Sequence, residues 1–129
     1  MNDLTQTIYV VDDDEAMRDS MTWLLEGEGY LVACFDSAES FLKARRDDMR
    51  GCLILDVRMP EMSGLELHEK LDALGSQLPV IFVTGHGDVP MAVSALQRGA
   101  CDFIEKPFHN EDLLSRIVRA LELDRQRSA

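Results

Sequence analysis

The sequence predicts an α/β domain built on a parallel β-sheet. Short runs rich in β-branched residues alternate with helical patterns along the whole chain. One run, Cys52-Leu53-Ile54-Leu55, is apolar without alternation, as a strand covered on both faces requires. With 129 residues and 46% apolar content, the chain has the size of one domain and can bury one full core.

The elements follow in order. Ile8-Tyr9-Val10-Val11 reads as a first strand and ends at an acidic triplet, Asp12-Asp13-Asp14. Residues 15–28 place Met17, Met21, Leu24 and Leu25 at helical spacing, and Gly27 and Gly29 mark the stop. Residues 30–35 read as a second strand. Ser37 suits a helix N-cap, and the short helix behind it carries Ala38, Phe41 and Leu42 before fading into Arg45-Arg46-Asp47-Asp48. The third strand, Cys52 onward, ends at Asp56. A loop over 57–64 leads into a third helix over 64–74, broken by Gly75 and Ser76. Residues 79–83 form the fourth strand, ending at Thr84. Pro90 fits the start of the fourth helix, where its missing N–H is no loss. Residues 101–105 are strand five, followed by Lys106-Pro107-Phe108. The last helix, 110–124, carries Leu113, Leu114, Ile117, Val118 and Leu121 on one stripe. Residues 125–129 read as a frayed tail or the start of a linker, so residues 1–124 form the domain. Neither an internal repeat nor an interior linker is visible.

Composition excludes several classes. Lys plus Arg is 13 and Asp plus Glu is 24, a net charge of -11. Nucleic-acid binders normally present a basic face, and anionic membranes repel an acidic one. Cys34, Cys52 and Cys101 are widely spaced in apolar runs with no CxxC pair, which predicts buried, reduced thiols rather than a zinc site or a disulfide framework. MNDLTQT lacks the basic and apolar regions of a signal peptide, and no apolar run reaches the roughly 18 residues that span a bilayer. The expected compartment is the cytoplasm, with no membrane partner.

In open parallel sheets, ligand chemistry gathers outside the carboxyl ends of the strands. That rule selects Asp12, Asp13 and Asp14 after strand one, Asp56 after strand three, Thr84 after strand four and Lys106 after strand five. Each alone has an ordinary explanation as a turn or cap residue. Their joint placement at one sheet edge is the informative feature. Clustered carboxylates repel one another unless a cation sits among them, and hard oxygen ligands suit Mg²⁺. A hydroxyl and an ammonium supply hydrogen bonds and positive charge to a phosphoryl group.

The segments VVDDDEAMR (10–18), LILDVRMPEMSGLEL (53–67), VIFVTGHGD (80–88) and GACDFIEKPF (99–108) resemble the response-regulator receiver domains of bacterial two-component systems. TGHGDVPMAV (84–93) with the DFIEKPF segment resembles the FixJ-like subgroup. The resemblance spans residues 8–123. It implies a doubly wound (βα)5 fold of flavodoxin-like strand order 2-1-3-4-5. It implies Asp56 as the phosphoacceptor for a sensor histidine kinase, with Mg²⁺ held by Asp12, Asp13, Asp56 and the backbone carbonyl of Arg58. Asp14 is the carboxylate left over. Lys106 is expected to pair with the phosphoryl oxygens, Thr84 to hydrogen-bond them, and Phe103 to be the switch aromatic. The Lys106–Pro107 bond is expected to be cis, as in the family. Arg58 and His86 flank the site and would tune water access. His68 and His109 read as surface residues.

The same resemblance implies a phosphorylation-driven homodimer through helix 4, strand 5 and helix 5, with Val89, Met91, Val93 and Gln97 as its lining. Trp23 falls off the apolar stripe of the first helix, where it can meet a kinase. The subgroup carries a helix-turn-helix output domain after the receiver, so DNA is expected to be bound only by a segment outside this chain. Self-phosphorylation and self-dephosphorylation at Asp56 are the only catalysis expected. Two alternatives stay open on the residues alone. One is a haloacid dehalogenase-like phosphatase, because Asp12-Asp13-Asp14 satisfies its Asp-x-Asp element. The other is a phosphorylation-independent interaction module.

Overall fold

A computed structural model describes residues 5–127. It shows β1 (Thr7–Val11), α1 (Glu15–Gly27), β2 (Leu31–Phe35), α2 (Ala38–Ala44), β3 (Gly51–Asp56) and α3 (Gly64–Ala73). Then come β4 (Val80–Thr84), a 3₁₀ turn (His86–Asp88), α4 (Val89–Gln97), β5 (Asp102–Glu105) and α5 (Asn110–Arg127). The five strands are parallel in the order β2-β1-β3-β4-β5, as expected.

Alternation along the strands divides the core into two layers. Tyr9, Val11, Leu53, Leu55 and Phe82 face one side, where Phe41 of α2, Leu67 and Leu71 of α3 and Ala95 of α4 cover them. Ile8, Val10, Ile54, Ile81 and Val83 face the other, under Met21 and Leu25 of α1 and Leu113 and Ile117 of α5. Both faces of β3 and β4 are therefore buried, which is why their sequences are continuously apolar. Local signals place the helix starts. Ser37 Oγ accepts from Ser40 N at 3.1 Å. Ser63 and Glu66 form a reciprocal capping box on α3.

Three expectations need correction. Cys34 is exposed and Cys101 only half-buried; of the three thiols Cys52 alone is buried. β2 is an edge strand, and the Cys34 sulfur lies 3.2 Å from the Thr22 hydroxyl at its margin. His68 is buried instead of exposed, its ring edge-on to Phe82 with centroids 5.6 Å apart. Burial holds its pKa below the usual histidine range, so the neutral ring is favoured. The segment 125–127 is helical rather than frayed, and the Arg127 guanidinium donates to the Gln77 carbonyl at 3.0 Å. Ser128 and Ala129 lie outside the described residues. Asp124, where the sequence ends the last helix, is a buried junction residue. It is 2% exposed and accepts from Gln6 Nε2 (2.9 Å), Arg50 Nε (3.2 Å) and Gly51 N (3.0 Å). It thereby ties α5 to the start of β3, at the sheet end away from Asp56.

Candidate functional site

Because the strands are parallel and in register, their carboxyl ends deliver side chains to one rim. Asp12 follows β1 directly, Asp56 ends β3, Thr84 ends β4, and Lys106 follows β5. Local hydrogen bonds fix the acidic turn. Asp14 N donates to Asp12 Oδ1 at 2.9 Å, and Arg18 Nη1 donates to the Asp12 carbonyl at 2.8 Å. Asp14 Oδ1 accepts from Ala16 N at 3.0 Å and caps α1. Its carboxylate is thus committed to the helix start, and the grouped acids are Asp12, Asp13 and Asp56. One oxygen from each of these three lies within 4.8 Å of the others.

Asp56 is held from behind by a tight loop. Gly64 N donates to the Val57 carbonyl at 3.0 Å, and a Cβ at position 64 would overlap the Asp56 carbonyl oxygen. Glycine is required there to let α3 start against the strand end. Asp56 is 9% exposed, and its carboxylate accepts from the Arg58 backbone N–H. Burial and the neighbouring Asp12 push its pKa up to about 6, against the pull of Lys106. Burial raises Asp12 as well. The two carboxyls share one cation imperfectly: Lys106 Nζ stands 3.9 Å from Asp56 Oδ1 and 4.0 Å from Asp12 Oδ2. Two desolvated acids with a single distant ammonium form a site that is short of positive charge. Hard oxygen donors in this state fit a divalent cation such as Mg²⁺.

The switch positions lie beside it. Thr84 is fully buried, and its hydroxyl donates to the Gly85 carbonyl at 3.1 Å rather than to Asp56. Phe103 sits in register with Phe82 and is half-buried against the core layer of α2, α3 and α4. The Lys106–Pro107 bond is cis, as expected, and Lys106 N donates to the Thr84 carbonyl at 2.8 Å. The structure therefore brings together Asp12, Asp13, Asp56 and Lys106, with Thr84 one strand away. The side chain of His86 lies outside those described.

Sequence reasoning gave Asp88 no role. It directly precedes α4, which signals a helix cap, yet its side chain makes no cap hydrogen bond. Its carboxylate pairs instead with the Arg58 guanidinium. Arg18 was likewise read only as part of a matching segment.

A model of the response regulator receiver domain matches residues 8–118. The chain belongs to the response regulator receiver family. It is 54% identical over 123 residues to the response regulator protein TmoT of Ectopseudomonas mendocina, covering 95% of this chain and 56% of TmoT. It is 48% identical over 114 residues to the transcriptional regulatory protein FixJ of Bradyrhizobium diazoefficiens, covering 88% of this chain and 56% of FixJ. The response regulator StyR superposes with a TM-score of 0.91 at 45% identity, over 96% of this chain and 63% of StyR. The crystal structure of FixJ-N superposes with a TM-score of 0.84 at 48% identity, over 91% of this chain and 94% of that one. The receiver thus spans little more than half the length of the curated relatives it matches. Receivers are signalling modules of two-component systems and generally not enzymes. Among the described residues, no helix is long and apolar enough to cross a membrane.

Proposed function

We infer that Asp56 accepts a phosphoryl group from the phosphohistidine of a sensor histidine kinase, with Mg²⁺ held by Asp12, Asp13, Asp56 and the Arg58 carbonyl. The observation that carries this reading is the grouping of three carboxylates within 4.8 Å, with Lys106 poised over two of them. An Asp56 carboxylate oxygen attacks phosphorus, the P–N bond breaks, and the imidazole leaves with the electron pair. Lys106 shifts from the carboxylates to the transferred oxygens. Bound Mg²⁺ supplies the remaining positive charge, since such transfers depend mainly on positioning and charge neutralisation. The product carries about -1.5 to -2 charges and three acceptors beside Thr84. Thr84 then exchanges the Gly85 carbonyl for a phosphoryl oxygen, and Phe103 moves into the space it leaves.

The altered face is α4, β5 and α5. Met91, Val93 and Val118 are large apolar side chains exposed there, at 36%, 41% and 56%. Gln97 is exposed and Val89 half-buried beside them. This supports a homodimer of the phosphorylated form. Trp23, 83% exposed on α1, lies with Lys106, Pro107 and Phe108 along an apolar groove of about 660 Å³, which suits a kinase helix. Relatives named as transcriptional regulatory proteins support an output domain that binds DNA.

Family membership removes the dehalogenase-like reading. The alternative of a phosphorylation-independent module is tested with beryllofluoride, a stable phosphoryl mimic. Mg²⁺ with beryllofluoride is expected to shift the chain from monomer to dimer in sedimentation, and Asp56→Asn to abolish the shift. A chain that ignores the mimic would support the independent module.

A further inference from the structure

Arg58 and Asp88 form a bridge between the two loops that flank the phosphoacceptor. Arg58 Nε donates to Asp88 Oδ2 at 2.8 Å and Oδ1 at 2.9 Å, and a terminal guanidinium nitrogen lies 2.7 Å from Oδ1. Arg58 is two residues past Asp56, and Asp88 four residues past Thr84. The Asp88 side chain is 11% exposed and that of Arg58 72%. The aspartate is therefore anchored in the fold, while the arginine reaches across to it from the surface. Both oxygens of Asp88 serve this pair, although its position is the N-cap of α4. Pro90 has no N–H to offer a cap, so the Met91 amide is the one that Asp88 could receive.

The geometry points to a latch: the Arg58–Asp88 pair holds the 85–88 loop in its unphosphorylated position and opposes the shift of Thr84. The Gly85 carbonyl that accepts the Thr84 hydroxyl also accepts from Asp88 N at 3.0 Å, so Thr84 and Asp88 are tied through one turn. The bidentate pair resists movement of that turn because its partner is fixed to the loop directly behind Asp56. Once the pair opens, the 85–88 turn is released and the Arg58 guanidinium is free to move. Asp88 is thus a positioning residue that raises the threshold for activation. Gly85 and Gly87 supply the backbone freedom for the motion.

This inference rests on Asp56 being the phosphoacceptor, so the test separates the two. Beryllofluoride is titrated with Mg²⁺ into the full chain, and binding is followed by amide resonances. Asp88→Ala is expected to lower the half-saturating concentration about 2- to 5-fold, the range of a partly exposed ion pair. The same substitution in an Arg58→Ala background is expected to add nothing further. Asp88→Asn, which keeps the size and removes the charge, is expected to act in the same direction if the alanine variant folds poorly. A residue that merely supports the fold would weaken binding when replaced. Unchanged or weaker binding in folded Asp88 variants, or an equal gain with Arg58 absent, overturns the latch. Wild-type chain that fails to bind the mimic at all overturns the phosphoacceptor reading instead.

Discussion

Replacing Asp56 by asparagine is expected to stabilise the metal-free fold. The carboxyl is buried beside Asp12, and its pKa stands at about 6 against an ordinary 3.8. A native group with a raised pKa binds a proton more tightly than the unfolded chain does. Its favourable contribution is complete below the unfolded value and is lost as pH rises through the folded one. Above pH 7 the ionised Asp56 therefore opposes folding, by up to about 3 kcal/mol at ~1.4 kcal/mol per tenfold. Asparagine has the same shape and no charge, so it mimics the protonated form at every pH. A realistic gain is about 1–3 kcal/mol at pH 8, or roughly 4–12 °C in Tm for a domain of this size. At pH 5 the native carboxyl is already mostly protonated, and about half of the gain should remain. Added Mg²⁺ should narrow the gap at pH 8 further, because binding stabilises only the chain that holds the ion. Thermal melts in EDTA at both pH values, then with Mg²⁺, measure all three effects. An asparagine variant no more stable than wild type at pH 8 in EDTA would refute this electrostatic account. So would a gain independent of pH.

Asp13 is exposed, so Asp13→Ala should change stability by less than about 0.5 kcal/mol. Calorimetry should nevertheless find Mg²⁺ affinity reduced at least about 10-fold, by analogy with other ligand losses; retained affinity would remove Asp13 from the metal site. Asp124→Ala should cost about 2–4 kcal/mol, since it removes the buried acceptor shared by Gln6 Nε2, Arg50 Nε and the Gly51 amide. Folded molecules of that variant should still label normally, because Asp124 lies at the other end of the sheet. A denaturant titration showing a loss below about 1 kcal/mol, or altered labelling, would contradict that structural role.

Much of the site was legible because parallel topology turns local signals into a shared location. Each strand reads locally as an apolar run, and the residue after it is fixed by counting. Once the sheet is parallel, Asp12, Asp56, Thr84 and Lys106 must meet at one rim. The glycine at 64 and the caps at Ser37 and Ser63 are also local features. What escaped the sequence depends on distant partners. Nothing near Asp124 announces Gly51 and Gln6, and nothing near Asp88 announces Arg58. His68 looked like a surface histidine because its burial depends on Phe82 from β4. Cys34 looked buried because an apolar run does not reveal that β2 is an edge. The helix past Asp124 escaped because its polar residues are held by Arg125–Glu122 pairing and by the Gln77 carbonyl.

The central claim is that Asp56 becomes an acyl phosphate. Borohydride reduces an acyl phosphate at aspartate to homoserine, leaving a permanent mark at the modified residue. The full chain, treated with acetyl phosphate and Mg²⁺ and then borohydride, is digested and sequenced by mass spectrometry. The account predicts homoserine at position 56, abolished by EDTA. Homoserine at Asp12, Asp13 or elsewhere with Asp56 intact, or no conversion at all, would contradict it.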